Sequence, residues 1–197
     1  MSRYTCNLST NAELIAALSL TRHSEGGYFA ETDRQDELVP SPYAVVRPDG
    51  QLRSVATSIF YLLTYDEPNG VFHTNRSVTY HILHHGRVEY TLIAPGNPPR
   101  IERVIMGANV AAGERRQLIV GGGVWKMSKI PKADLVGAKS EEEKARAGCL
   151  ITEVVTPGFQ WEDHQFLTKS GLQELFQELP GVETKMLEFL PYIKKSA

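Results

Sequence analysis

Three textures of apolar and polar positions follow one another along the chain. In the first, Leu14, Ile15, Ala17 and Leu18 supply one apolar face at helical spacing. Thr10 followed by Glu13 reads as a capping box, so the pattern predicts a short helix over about 10–19. In the second, the period falls to two. Val55 to Thr64, Val71 to His73, Val78 to His84, Arg87 to Ala94, Arg100 to Met106, Arg116 to Val120, Gly123 to Ile130 and Cys149 to Val155 are rich in β-branched and aromatic residues. Turn signals separate them at Asp66–Gly70 and Pro95–Pro99, and the pair Gly26-Gly27 feeds a further strand. Residues 35–53, with Pro40, Pro42, Pro48 and Gly50, read as a long loop or hairpin tip. In the third, Leu172, Leu175, Phe176 and Leu179 return to helical spacing behind a capping-box pair, Ser170 and Gln173. Pro180-Gly181 stops that helix, and Met186, Leu187, Phe189 and Leu190 form a last amphipathic turn or two.

Many short strands without intervening helices predict a mainly β protein, an antiparallel sandwich or barrel. No internal repeat suggests a second barrel. The expected organisation is a single domain over 1–197, with the barrel at about 21–167 and flanking helices at about 10–19 and 170–191 packed outside it.

Charge narrows the function. A formal net charge of -2, with no like-charge block longer than Glu141-Glu142-Glu143, excludes the concentrated basic face of a nucleic-acid binder. The 141–146 segment reads as a solvated turn or short helix. Cys6 and Cys149 cannot form a Cys-rich zinc site or a disulfide scaffold. No apolar stretch suits a signal peptide, and none approaches the ~18 residues of a membrane span. The expectation is a cytoplasmic protein with no nucleic-acid and no membrane partner.

The informative stretch runs from Gly70 to Gly86. His73, Asn75, Thr79 and Gly86 stand at the spacing of a His-x-His, Glu and Gly pattern, and Gly121, Gly123 and Lys126 stand at that of Pro-x-Gly-x-x-His. These resemble the two cupin motifs. His23-x-Glu25-Gly26-Gly27-Tyr28-Phe29-x-Glu31-Thr32, Gly123-Val124-Trp125 and Val154-Val155-x-Pro157-Gly158-Phe159 resemble the signatures of a small branch of single-domain cupins found in bacteria and fungi. The likeness covers roughly residues 10–167. It implies a single antiparallel cupin-type β-barrel (a double-stranded β-helix, or jelly roll). It also implies a homodimer, with the strands around 54–64 as the expected contact.

Metal-binding cupins hold their ion with two or three His and one Glu, converging from neighbouring strands. Of those positions only His73 keeps a ligand type. Asn75 and Thr79 are poor ligands for a transition ion, and Lys126 places an ammonium where the last His would stand. The expectation is therefore no metal and no other cofactor, with a rearranged set of His73, His81 and Glu31 left open.

Side chains alternate along a strand, so Thr79 and His81 share one face while Val78 and Tyr80 share the other. With His73, Asn75 and Lys126 they make five polar positions aimed at one interior. They form either a pocket for a small polar molecule or a set of buried, satisfied groups. Metal-free cupins that act as epimerases use an interior His as base and a Tyr as acid. By analogy the residues suit an isomerase, epimerase or lyase, with His73 or His81 to abstract a proton, Lys126 to steady an enolate and Tyr28 or Tyr90 to return the proton, roles that the resemblance itself does not fix. Glu31, Asn75 and Thr79 join the ligand-binding set, and Phe159 closes the mouth. Two alternatives stay open, a non-catalytic binding or sensing cupin and a metal-dependent dioxygenase. His84 and His85 read as surface turn residues, Trp125 and Trp161 as packing, and Asp163-His164 as neighbours too close in sequence to face one another.

Overall fold

The computed structural model describes residues 9–43, 51–178 and 181–194. Cys6, Pro48, Gly50, Leu179 and Pro180 lie outside them. A first helix, α1 (Asn11–Ala17), leads into β1 (Thr21–Arg22), β2 (Tyr28–Arg34), β3 (Leu38–Pro40), β4 (Leu52–Ser54) and β5 (Thr57–Thr64). Then come β6 (His73–Thr74), β7 (Val78–Gly86), β8 (Val88–Ala94), β9 (Arg100–Met106), β10 (Gln117–Val120) and β11 (Trp125–Lys129). Helices α2 (Lys132–Gly137) and α3 (Glu141–Arg146) precede β12 (Gly148–Thr156), β13 (Gln165–Phe166), α4 (Lys169–Phe176) and α5 (Val182–Phe189).

The strands form two main antiparallel sheets, β1-β2-β5-β12-β7-β10 and β13-β6-β11-β8-β9, with β3 and β4 as a separate hairpin. Alternation decides what each sheet does. In β5, Tyr61 and Leu63 enter the core between the sheets, against Leu83 of β7, Tyr90 and Leu92 of β8 and Ile151 of β12. Leu62, one residue out of phase, turns outward and meets Leu14, Ile15 and Leu18 of the α1 segment. On the other sheet, Ile93 and Met127 turn outward against Leu172 and Phe176 of α4 and Phe189 of α5. Both terminal helical segments thus pack outside the β core, as the sequence pattern predicts.

Two details differ from the sequence expectation. Between β11 and β12 the chain makes a six-residue helix, α2, too short for apolar periodicity to reveal; α3 after it, capped by Ser140 and Glu143, is one of the two forms expected of 141–146, a solvated turn or a short helix. The cap of α4 is Thr168, whose Oγ1 accepts from Gly171 N at 3.0 Å, and not Ser170. β5, within the 54–64 segment expected at a subunit contact, lies between β2 and β12 with α1 over its outer face.

Local geometry then fixes the site. Gly26 and Gly27 both have positive φ (100° and 66°). A Cβ on Gly26 would stand 2.4 Å from Asn69 O, and one on Gly27 2.5 Å from Leu62 O. Only glycine fits this turn, which carries Glu25 inward and is tied down by Val71 N donating to Glu25 O at 2.8 Å. β6 is only two residues long, yet it is paired on both sides, His73 opposite Lys126 of β11 and opposite Phe166 of β13.

Candidate functional site

A cavity of about 140 Å³ lies between the sheets. It is comparable to the roughly 150 Å³ void known to accept benzene, so it suits a small molecule. The first sheet contributes Phe29 and Glu31 from β2, Ile59 from β5 and Glu153 and Val155 from β12. The second contributes His73 and Lys126, and Glu25 enters from the β1–β2 turn. Phe159 and Trp161 stand edge to face at the mouth with centroids 5.1 Å apart, and Trp161 is 57% exposed. Arg34 holds the Glu31 carboxylate through Nε at 3.0 Å and Nη2 at 2.7 Å, and donates to Phe159 O at 3.2 Å.

The polar interior divides into two clusters. In the first, Lys126 Nζ donates to Glu153 Oε2 at 3.2 Å and to His81 Nε2 at 3.2 Å. His81 Nδ1 lies 3.2 Å from Leu118 O. A carbonyl only accepts, so Nδ1 carries the proton and Nε2 offers its lone pair to the ammonium. Burial, opposed by Glu153, pushes the His81 pKa down and keeps the ring neutral. Burial opposes the charge of Glu153, yet the Lys126 ammonium holds its carboxyl well below the usual range. One cation, one anion and one neutral ring leave this trio balanced.

The second cluster surrounds Glu25. Its Oε1 accepts from His164 Nε2 at 2.8 Å, and its Oε2 stands 3.2 Å from His73 Nε2. Glu25 N donates to His23 Nδ1 at 3.2 Å. Burial works against the Glu25 charge, but His73, His164 and His23 together bring its pKa to about 2. Burial pushes His73 the other way, to about 4, against the pull of Glu25. His73 Nδ1 lies 2.9 Å from Val71 O and therefore carries the ring's proton. A neutral His73 then turns a bare Nε2 lone pair toward a carboxylate oxygen. Two acceptors face each other, and Glu25 has imidazoles but no full cation beside it.

Of the nine residues predicted at the site, His73, Lys126, Asn75, Glu31 and Phe159 line the cavity. His81 is fully buried behind Lys126, with Tyr90 against it at a centroid distance of 5.0 Å. The Tyr90 hydroxyl is buried with no hydrogen-bond partner among the described residues, and burial raises its pKa far above a useful acid's range. Thr79 accepts from Asn75 Nδ2 at 3.3 Å. Tyr28 packs toward the outer α1 side with the Arg22 guanidinium over its ring, so it does not meet the others. His84 is exposed and His85 half-buried.

Three contributors escaped the sequence reading. Glu153 left a usable signal, as the one charged residue in phase with Ile151 and Val155 on an apolar strand. Glu25 sits in a loop, where no period applies. His164 was set aside with Asp163, and the two do point apart: Asp163 pairs with buried Arg53, while His164 turns to Glu25.

The usual cupin metal positions do not fit an ion here. Asn75 and Thr79 are spent on each other, and the Lys126 ammonium lies between Glu153 and His81.

Two facing antiparallel sheets with a polar cavity between them define a cupin. The chain belongs to the family described as Cupin superfamily (DUF985), whose model matches residues 12–167. It is 37% identical over 179 residues to the uncharacterized protein YML079W of Saccharomyces cerevisiae, covering 89% of this chain and 82% of that one. A hypothetical protein from Leishmania major has a similar structure, with TM-score 0.72 and 27% identity over 90% of this chain and 98% of its own. Protein SO0799 from Shewanella oneidensis shares the fold at TM-score 0.71 and 19% identity, over 95% and 99% of the two chains. No helix among the described residues is long and apolar enough to cross a membrane.

Proposed function

We propose that this cupin is a metal-independent isomerase- or lyase-type enzyme that moves a proton on a small polar carbonyl compound held in the cavity. The observation that carries this reading is the pairing of His73 with Lys126 across β6 and β11, both lining one cavity, one with a bare ring nitrogen and the other with an ammonium. His73 Nε2 takes a proton from the carbon beside the carbonyl. The C–H electrons form the enolate, and Lys126 Nζ–H stabilises its oxygen. Returning the proton to the other face of the same carbon epimerises the substrate. In an α-hydroxy carbonyl, whose hydroxyl proton passes to the enolate oxygen, returning it to the former carbonyl carbon isomerises it. Expelling a β-substituent with its electron pair completes a lyase reaction. His81 supports this arrangement by orienting Lys126, since its own lone pair is occupied. Tyr90, buried and a poor acid, has no part in it. The same reading places the protein in the cytoplasm as a homodimer. With β5 covered, the contact would use other positions, such as exposed Leu38 and Leu52 of the β3–β4 hairpin.

The test needs no known substrate. Chelator-treated protein is incubated in D₂O with a panel of small hydroxyketones, keto acids and β-hydroxy acids, and deuterium uptake at the α carbon is followed by NMR. We expect uptake from at least one compound, lost in His73→Ala and in Lys126→Met variants that stay folded. A compound that binds in the cavity without any exchange would instead assign the fold a binding or sensing role.

A further inference from the structure

We infer that Glu25, His73 and His164 form a binding site for a divalent first-row transition ion, one that keeps only His73 of the usual cupin metal positions. Among the described residues they are the one group of three such side chains whose ligating atoms all lie within 4.8 Å of one another. Two imidazole nitrogens and a carboxylate are a donor set suited to Zn²⁺, Co²⁺, Ni²⁺ or Fe²⁺.

Three elements converge to make it. The Gly26-Gly27 turn presents Glu25, the pairing of β6 with β11 and β13 fixes His73, and His164 immediately precedes β13. The His73 and His164 rings stack at 5.4 Å with an interplanar angle of 16°, so their edges reach the two oxygens of one carboxylate. The side chains of Glu25, His73 and His164 are 11%, 9% and 3% exposed. Removed from water in this way, the carboxylate lacks the full countercharge that Glu153 receives from Lys126.

The His73 edge is placed for it: Nδ1 lies 2.9 Å from Val71 O and Nε2 3.2 Å from Glu25 Oε2, close to the spacing of two ligands on one ion. A cation seated there takes a bond from each. The hydrogen bond from Nδ1 to a backbone carbonyl is the support that metal-binding imidazoles ordinarily receive, because it fixes the tautomer and the ring plane. Bonds of about 2.0–2.2 Å to a tetrahedral ion set the donors about 3.3–3.6 Å apart. The present separations need only a small side-chain adjustment to meet that. A fourth position faces the cavity, since Glu25 and His73 both line it.

The site stands on its own geometry. One consequence rests on the acid–base reading above: an ion on His73 Nε2 occupies the lone pair that takes the proton, so Zn²⁺ and proton transfer exclude each other.

The decisive measurement is metal binding by chelator-treated protein without substrate, with Zn²⁺ by calorimetry and Co²⁺ by its visible absorption. Wild type should bind one equivalent, and the absorption should be that of a low-symmetry four- or five-coordinate ion. Glu25→Gln and His164→Asn should each weaken binding by more than the roughly 10–100-fold that loss of an outer-shell partner costs. His84→Gln, an exposed histidine outside the cluster, should change nothing. Circular dichroism shows whether each variant is folded. Should His164→Asn not fold, Glu25→Gln carries the test, because it keeps the shape of the side chain. No binding by folded wild type, or equal binding by a folded Glu25→Gln, overturns the site. Where an exchanging compound has been found, saturating Zn²⁺ should stop the exchange, and full exchange at saturation overturns the exclusion. A failed metal titration thus counts against the site, whereas a silent exchange panel counts only against the enzymatic reading.

Discussion

The two polar clusters share one cavity and differ in one respect. Around Lys126 the charges cancel and the ring is engaged: one Nζ–H goes to Glu153, one to His81, the third is left for the cavity, and His81 Nδ1–H goes to Leu118 O. Around Glu25 the count is one hydrogen short, since His164 donates to the carboxylate while His73 faces it with a lone pair. A buried cation held between two acceptors is costly to remove, and His81, with both ring nitrogens engaged, is not free to react. A set that is one hydrogen short is where a proton, a substrate or a cation is taken up. The comparison explains why His81, with the residue type of a catalytic base, is held in reserve while His73 is open.

The largest effect should come from breaking the closed trio. Lys126→Met strands Glu153 as a buried, unpaired carboxylate, a situation that typically costs about 3–5 kcal/mol. The double variant Lys126→Met/Glu153→Leu removes both charges and should recover most of that loss. Urea unfolding of the single and double variants checks this. A single variant as stable as wild type would mean that Glu153 finds water, and that the trio is not closed.

A smaller effect is set by pH. In the unfolded chain His81 takes up a proton near its ordinary 6.5, while in the fold burial holds its pKa lower. Between those values the unfolded state binds more protons, so stability is present above 6.5 and falls as pH falls below it. The expected slope from this one group approaches about 1.4 kcal/mol per pH unit. His81→Gln keeps a donor for Leu118 O and an acceptor for Lys126 but cannot titrate. Its stability should therefore fall less steeply than wild type's as pH drops below 6.5, and parallel curves would remove His81 from the account.

How much of this was legible depended on distance along the chain. Period two placed Thr79 and His81 on one face of β7, and both are buried with Leu83 in phase. The same rule carried further would have separated Tyr28 from Glu31, whose numbers differ by three. The fold puts Phe29 and Glu31 on the cavity side and Tyr28 and Ala30 against α1. It would also have picked out Glu153. The second cluster obeys no such rule. Glu25 depends on a two-glycine turn, and His164 depends on the pairing of Phe166 with His73 across a long sequence gap. Local periodicity holds no information about a contact of that kind. The metal motif reaches no further: ligands missing from its usual positions argue against an ion there and carry no information about side chains supplied by a loop and the segment before β13.

The smallest expected change in stability is also the sharpest division between the clusters. Glu25→Gln exchanges a carboxylate for an amide of the same shape. Its carbonyl oxygen can keep accepting from His164 Nε2–H, while its NH₂ donates to the bare His73 Nε2, supplying the missing hydrogen. No buried charge remains without a full partner. In metal-free buffer the substitution should therefore shift stability by no more than about 1 kcal/mol, in contrast to the several kcal/mol expected at Lys126, and its sign should favour the variant. Added Zn²⁺ should reverse the order, raising the melting temperature of wild type through linkage and leaving that of the variant unchanged. If Glu25→Gln instead loses several kcal/mol without metal, His73 carries a second proton and forms an imidazolium–glutamate pair. The two clusters would then be alike in charge balance, and the contrast between them would fall.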